Sequence, residues 1–154
     1  MNLFDDNFYL ASRDTSLADP QYRYKIDKPI ITVVGKKGNR TTLFENSEYY
    51  GDKLGLPSSY FGKFIGNKIS CPYSFDKEKG CVGWKGEYTL DIIEQLLKEF
   101  IKIYVLCSNC DYPETNLFLQ KKCIGYKCRS CGNENIIASK YMDKTYDFIS
   151  KNIK

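Results

Sequence analysis

The clearest pattern of apolar and polar positions lies in residues 89–104, where apolar residues recur at intervals of three and four. They are Leu90, Ile93, Leu97, Phe100 or Ile101, and Tyr104. This spacing places the apolar side chains on one face and predicts a long amphipathic helix. The apolar pattern continues through Val105 and Leu106 into Cys107, so the next module is expected to follow the helix with almost no linker.

Four shorter segments earlier in the chain have the character of β-strands. Residues 30–34 are a β-branched run and residues 40–45 alternate, on either side of a turn at 35–39, and residues 73–76 and 81–84 flank a turn at 77–80. Strand-like segments separated by glycine-containing turns predict two β-hairpins. Both predicted turns carry lysines.

Two short helices are predicted between the hairpins. Asn46 or Ser47 is a candidate N-cap for a helix that ends at Leu54. After Pro57, Ser58 or Ser59 is a candidate N-cap for a second helix that ends at Ile65. Short polar side chains favour the N-cap because they accept a hydrogen bond from a free backbone N–H of the first turn.

Two Cys-x-x-Cys pairs follow the long helix, and seventeen residues separate them. Their members are Cys107, Cys110, Cys128 and Cys131. This spacing is typical of a four-cysteine zinc ribbon, in which two knuckles complete one tetrahedral site. Gly132 follows the last ligand, where a knuckle commonly needs a positive φ. The alternatives are a pair of disulfides or free core thiols.

The predicted fold class is therefore α+β. A flexible or partner-dependent leader at residues 1–20 precedes a small mixed αβ domain at 21–105, which holds the β-hairpins and the long amphipathic helix. A four-cysteine zinc ribbon with a closing C-terminal helix occupies residues 106–154. Residues 113–127 are expected to form the hairpin between the knuckles, and Ile136 and Ile137 suit the last strand.

Composition and the amino-terminal sequence indicate the cellular location and the class of partner. The amino terminus lacks the basic and apolar regions of a signal peptide, and no segment is long and apolar enough to cross a bilayer. A cytoplasmic protein with reduced or metal-bound thiols is expected, with Cys71, Cys81 and Cys123 as buried small hydrophobes. The net charge is +4, with −3 in residues 1–20 and +7 in the remainder. A basic body suggests RNA or an acidic protein as partner, although a solvated lysine-rich face gives the same balance.

Several chemistries are excluded by the residues present. The chain has no histidine, so it offers no imidazole base to a serine or cysteine nucleophile. It has neither a Walker phosphate loop nor a dinucleotide-binding glycine motif. A zinc ion held by four thiolates has no open position for water, so the predicted metal is structural.

Five motifs occur in order over residues 20–152. They are Tyr22-Arg23-Tyr24-Lys25, Tyr60-Phe61-Gly62, the run from Phe100 to Cys107, Cys110-Asp111-Tyr112-Pro113-Glu114-Thr115, and Phe148 to Asn152. Together they resemble the amino-terminal half of the translation initiation factor 5 family. The beta subunit of initiation factor 2 shares the same plan around the helix and the ribbon, but the first and fourth motifs favour factor 5.

The resemblance implies a GTPase-activating accessory factor, not itself an enzyme, for GTP-bound initiation factor 2 with initiator tRNA on the small ribosomal subunit and its RNA. It implies action during start-codon selection, by a monomer that needs no membrane. In the family, the arginine of the first motif is required for GTPase activation, and it corresponds to Arg23. An arginine near the γ-phosphate neutralises charge that develops on the transferred phosphoryl group. Without the resemblance, Arg23 reads as a surface arginine between two tyrosines.

The turn at 35–40 resembles the family's basic loop that approaches initiator tRNA. Its candidate RNA-binding residues are Lys36, Lys37, Asn39 and Arg40, and a second candidate contact is formed by Lys77 and Lys79. The family's following lysine corresponds to Arg40 or Thr41. A solvated turn is the alternative for each loop.

Two other functions fit the same residues. One is a tRNA- or ribosome-binding module like the beta subunit of initiation factor 2, without GTPase activation. The other is a structural zinc-ribbon protein of a transcription complex. Family members continue into a helical-repeat domain beyond the part resembled here, so its bridging contacts are not expected of this chain, which we expect to be an excised domain or a short version.

Overall fold

The computed structural model describes residues 7–9, 25–110, 115–138 and 143–153, which fall into two compact units. The sheet unit comprises residues 29–100, and the ribbon unit comprises residues 1–28 and 101–154. The ribbon unit begins with strand β1 (Asn7–Tyr9), which pairs antiparallel with β2 (Lys25–Asp27). Of the predicted leader, only β1 is described, and no sequence pattern predicted this strand.

The sheet unit is built on a four-stranded antiparallel sheet. Both predicted hairpins are confirmed: β3 (Ile31–Lys36) pairs with β4 (Asn39–Phe44), and β5 (Tyr73–Asp76) pairs with β6 (Cys81–Lys85). Strand β6 also pairs with β4, so the spatial order is β3-β4-β6-β5.

Three helices accompany this sheet, and each was predicted. They are α1 (Ser47–Leu54), α2 (Ser58–Lys68) and α3 (Leu90–Tyr104). The second helix is three residues longer than the prediction that ended at Ile65. The chain therefore has the predicted α+β fold class.

Aromatic side chains form the centre of the sheet unit. The Phe44 ring of β4 lies 5.1 Å from the Tyr50 ring and 5.7 Å from the Phe61 ring. The Phe100 ring of α3 lies 6.0 Å from Phe61 and 5.6 Å from Phe64. All five are buried. Such burial stabilises by roughly 1.5–3 kcal/mol for each side chain, so this cluster fixes α1, α2 and α3 on the sheet.

Close approach of α2 to the segment that leads into β5 depends on a glycine. A Cβ at Gly66 would lie 2.5 Å from the carbonyl oxygen of Cys71. The same approach lets Trp84 Nε1 donate to the carbonyl of Gly62 at 3.1 Å, so the buried indole keeps a hydrogen bond. Strand β6 is thereby held against α2.

The predicted helix caps are wrong in their chemistry. Asn46 occupies the N-cap position of α1, but its side chain makes no capping bond, and its Oδ1 accepts from the backbone N–H of Ile30 at 2.9 Å. Ser47 is the first helical residue, and its Oγ accepts from Val82 N at 3.1 Å. The N-cap of α2 is Pro57, and the Ser58 hydroxyl donates to a Glu48 carboxylate oxygen. These side chains therefore bond to residues that are distant in sequence, whereas local propensity predicted that they would cap the helices.

The ribbon unit contains a three-stranded antiparallel sheet in the order β7-β8-β9. Strand β7 (Thr115–Gln120) and β8 (Cys123–Cys128) form the predicted hairpin, and β9 (Glu134–Ile136) is the predicted last strand. The predicted closing helix is α4 (Lys144–Asn152), whose N-cap Asp143 accepts from Tyr146 N at 3.0 Å.

The three cysteines outside the pairs differ from one another. Cys81 is fully buried, as predicted, whereas Cys71 and Cys123 are partly exposed, so the prediction of burial is wrong for those two. Cys71 lies where its thiol donates to the carbonyl of Lys85 at 3.3 Å. Within the described ranges, no helix combines the length and apolarity that a bilayer crossing needs.

Candidate metal centre and basic hairpin tips

The two Cys-x-x-Cys pairs meet in the ribbon unit. The Sγ atoms of Cys107, Cys110, Cys128 and Cys131 all lie within 4.8 Å of one another. The Cys107–Cys131 separation is 3.7 Å and the Cys110–Cys128 separation is 3.6 Å. A tetrahedron with metal–sulfur distances of about 2.3 Å has sulfur–sulfur edges of about 3.8 Å, so the cluster has the dimensions of one metal site. These separations are far longer than a disulfide bond of about 2.05 Å, so the distances favour a metal site over the disulfide alternative.

The first knuckle is positioned by the end of α3. The backbone N–H groups of Val105 and Leu106 both donate to the carbonyl of Ile101 at 2.9 Å, which closes the last turn just before Cys107. The Thr115 hydroxyl donates to the carbonyl of Val105 at 2.7 Å and ties the start of β7 to this turn.

The second knuckle follows strand β8 directly. The backbone N–H of Cys128 donates to the carbonyl of Asn133, and that of Gly132 donates back to the carbonyl of Cys128, both at 2.9 Å. Gly132 has a φ of +76°, as the sequence predicted, and a side chain there would strain the turn. This reciprocal pair of bonds shapes the loop that carries Cys131.

Hydrogen bonds favour the thiolate form of Cys131. Asn109 donates from its backbone N–H to Cys107 Sγ at 3.4 Å and from Nδ2 to Cys131 Sγ at 3.5 Å. The Asn109 side chain and the backbone of Asn133 lower the pKa of the exposed Cys131 thiol to about 6. Burial acts in the opposite direction on Cys107 and raises its pKa. Thiolate is the form that binds a metal, so Asn109 suits the predicted ligand set.

The first hairpin tip presents the predicted RNA-binding residues to solvent. Lys36 pairs with Asn39 across the two-residue turn Lys37-Gly38, and these side chains are exposed. Gly35 has a φ of +100°, and a Cβ at this position would overlap the carbonyl oxygen of Asn39. The tip conformation thus requires glycine at position 35.

A groove of about 410 Å³ opens beside this tip. Besides tip residues it is lined by Lys85, Gly86 and Glu87, which no sequence pattern singled out. Arg40 Nη1 lies 2.6 Å from Glu87 Oε1 in an ion pair. The register of β4 and β6 creates this neighbourhood, since Thr41 pairs with Lys85. Sequence patterns do not encode that register.

The second predicted tip lies at the opposite end of the same sheet. Phe44 pairs with Val82, so the turn after Asp76 faces the end of β4 that is farthest from Arg40, a strand length of about 15 Å away. Asp76 Oδ1 accepts from the N–H groups of Glu78 and Lys79 at 3.0 and 3.1 Å.

The two lysines of this second tip differ in their ion pairing. Lys79 Nζ lies 3.7 Å from Glu45 Oε1, whereas Lys77 has no ion pair with any residue that the structure describes. Because this turn lies at the opposite end of the sheet, the structure does not bring Lys77 and Lys79 together with the first tip.

A third basic tip was not predicted. Lys121 and Lys122 form the two-residue turn between β7 and β8, with φ values of +50° and +66°. Both are exposed. Left-handed backbone at residues other than glycine costs roughly 1–2 kcal/mol each. Two lysines between alternating segments were the available signal in the sequence.

Arg23, the predicted catalytic residue, lies outside the described residues. The structure thus describes the candidate metal ligands and all the candidate RNA-binding residues, but not the candidate GTPase-activating residue.

Comparison of the sequence with known proteins identifies a family. A family model for the domain found in initiation factors 2B and 5 matches residues 13–134. Eukaryotic translation initiation factor 5 of Caenorhabditis elegans is 35% identical over 137 residues, covering 89% of this chain and 31% of the relative. The Mus musculus protein of the same name is 31% identical over 139 residues, covering 89% of this chain and 32% of its own length.

A plant relative covers more of the chain. Probable eukaryotic translation initiation factor 5-1 of Arabidopsis thaliana is 30% identical over 147 residues, which is 95% of this chain and 32% of the relative. The chain thus spans about a third of the length of the curated relatives it matches. Matched residues 13–134 include the four cysteines and the predicted basic tips.

Proposed function

The chain belongs to the family of the domain found in initiation factors 2B and 5, and on this premise we propose that it acts as a factor 5-like GTPase-activating accessory factor for initiation factor 2. It would act on the small ribosomal subunit during start-codon selection. The single observation that carries the proposal is a family match that spans the sheet unit, the metal cluster and Arg23. The relatives reported above bear the name of factor 5, which favours factor 5 over the beta subunit of factor 2.

Arg23 is the proposed GTPase-activating residue. It stands in Tyr22-Arg23-Tyr24-Lys25, the motif on which the resemblance to factor 5 rests, and lies inside the matched residues. The proposed chemistry is electrostatic: a guanidinium supplied to the partner's site stabilises charge on the transferred phosphoryl group. Such arginines accelerate hydrolysis by about 10³ to 10⁵ where they operate. The chain would lower the barrier in its partner and hydrolyse nothing itself.

Zinc is the proposed metal of the four-cysteine cluster. Four thiolates select a soft or borderline ion with tetrahedral preference, and the measured sulfur–sulfur distances fit that geometry. Since all four positions would be taken by cysteine, the role is structural: the ion would link the end of α3 to the end of β8.

The first hairpin tip is the proposed RNA contact. Exposed Lys36 and Lys37 can pair with phosphates, and the Asn39 amide can hydrogen-bond backbone or base edges. Arg40 completes the set next to the groove. Lys77 and Lys79 lie at the other end of the sheet, so they would form a separate and secondary contact. Initiator tRNA and small-subunit RNA are the proposed partners.

Reconstituted initiation complexes test this function. Small subunits carrying initiation factor 2, GTP and initiator tRNA are mixed with the chain, and both co-sedimentation and GTP hydrolysis are measured. The proposal predicts binding together with faster hydrolysis. Binding without faster hydrolysis would instead support the RNA-binding module, and absence of both would support the zinc-ribbon protein of another complex.

A further inference from the structure

The groove beside the first hairpin tip contains one acidic side chain among cations. Lys37, Arg40 and Lys85 line it together with Glu87, and we call it the tip groove. Both partners of the Arg40–Glu87 ion pair remain accessible to solvent, with side-chain exposures of 40% and 60%. A ligand that enters the groove therefore meets Arg40 already engaged by a carboxylate.

The backbone fixes this pairing. The N–H of Gly86 donates to the carbonyl of Arg40 at 2.7 Å, so the residue before Glu87 is bonded to the strand that carries its partner. Thr42 Oγ1 donates to the carbonyl of Gly86 at 2.9 Å and accepts from Tyr88 N at 3.0 Å. Glu87 is thus flanked by two anchored residues, which places its backbone beside the strand that carries Arg40.

We propose that Glu87 is an internal competitor for RNA at the tip groove, where its carboxylate occupies the position at Arg40 that a backbone phosphate of single-stranded RNA would take. This inference rests on the proposed RNA contact. Carboxylate and phosphate both accept charge-assisted hydrogen bonds from guanidinium. An exposed ion pair is weak enough for a well-placed phosphate to displace it.

The expected consequence is weaker binding to RNA of arbitrary sequence. Lys36, Lys37 and Lys85 attract any phosphate by charge alone, because no described residue forms an ion pair with them. Arg40 joins only when a phosphate displaces Glu87. Removing the carboxylate should therefore strengthen binding to RNA of arbitrary sequence.

The test measures binding of a fluorescent oligouridine to the zinc-loaded chain and to Glu87→Gln, by anisotropy over a range of monovalent salt. Each phosphate contact with a single strand contributes about 0.7 to the slope of log affinity against log salt. The variant should bind roughly fivefold more tightly at about 0.1 M salt, with a slope steeper by about 0.7.

Two controls separate this effect from a change of net charge. Glu99→Gln removes one exposed carboxylate from α3 in the same unit, and it should leave both affinity and slope nearly unchanged. In an Arg40→Ala background, Glu87→Gln should keep only the gain that removal of a negative charge gives and should no longer steepen the salt slope, since the guanidinium that would add a phosphate contact is absent.

The other outcomes would contradict either the competitor role of Glu87 or the RNA contact on which it rests. Equal or weaker binding by Glu87→Gln overturns the competitor role while wild-type binding leaves the RNA contact standing. An undiminished steepening of the salt slope in the Arg40→Ala background also overturns it. If neither protein binds oligouridine, both proposals fail, and binding of polyglutamate in its place would assign the groove to an acidic protein.

Discussion

At the scale of single residues, the hydroxyl of Tyr146 is a hydrogen-bond acceptor inside the ribbon unit. It accepts the backbone N–H of Ile124 at 2.7 Å, and both residues are buried. Burial, and to a smaller extent the charge of Asp143, raise the pKa of the neighbouring Tyr104 phenol well above its usual range. Tyr146 therefore satisfies a buried backbone donor.

Tyr146→Phe should lower the free energy of unfolding by about 1–3 kcal/mol, because it leaves a buried donor without an acceptor. Tyr126→Phe is the matched control. Its hydroxyl accepts from the backbone N–H of Ser108 at 3.1 Å and lies 2.6 Å from the Ser108 hydroxyl, but Ser108 is exposed, so water can replace both bonds. Urea denaturation of the zinc-loaded proteins measures both losses. Equal losses would contradict this role of Tyr146.

Residue-level prediction from sequence succeeded where spacing determines chemistry. Cys107, Cys110, Cys128 and Cys131 were identified because two-residue gaps are a local property, and the structure brings all four together. Glu87 was missed, since the pairing of Glu87 with Arg40 follows from strand register between residues 47 positions apart. The Ser58 side chain was misassigned, because it bonds to Glu48 and caps nothing.

At the scale of elements, strand β8 offers a direct test of the metal centre. It carries Cys128 at its end and Cys123 at its start, and only Cys128 belongs to the cluster. Structural zinc contributes folding free energy, so the ribbon sheet should depend on the metal.

Cys128→Ser should lower bound zinc from about one ion per chain to nearly none and should unfold the ribbon sheet, because three thiolates leave the tetrahedron incomplete. Cys123→Ser should keep the ion. Metal analysis and thermal melting with and without a strong chelator check both variants. Wild-type protein without zinc, or with an unchanged melting temperature in chelator, would refute the assignment.

The hairpin tips provide the second test at this scale. Replacing Lys36 and Lys37 together by alanine should weaken binding to oligouridine and reduce the salt slope by about 1.4, since two phosphate contacts are lost. The matched control replaces Lys144 and Lys151, two exposed lysines of α4, and removes the same charge. Equal weakening in both double variants would mean that net charge, and not the tip, governs binding.

The elements themselves were largely predictable. Period and alternation located α3 and both hairpins because these are properties of contiguous sequence. The short β1 strand was missed since three residues show no period. Side-chain partners of the helix starts were also missed, because Asn46 and Ser47 bond to backbone donors brought near by the tertiary fold.

At the scale of the whole molecule, the sheet separates the two basic tips that were predicted as RNA contacts. Register places the β3–β4 turn at one end and the β5–β6 turn at the other. No sequence pattern specifies which strand ends coincide, so this result required the fold. The family, by contrast, was recognisable from ordered motifs, and the match over residues 13–134 confirms it.

Single-turnover GTP hydrolysis measures whether Arg23 activates the partner GTPase. Initiation factor 2, loaded with GTP and initiator tRNA on small subunits, is mixed with wild-type chain, Arg23→Ala or the control Arg13→Ala at saturating concentration. We predict acceleration on the order of 10³ by wild type and Arg13→Ala, and a rate near the basal value with bound Arg23→Ala. Undiminished acceleration by Arg23→Ala, or none by bound wild-type chain, would contradict the account.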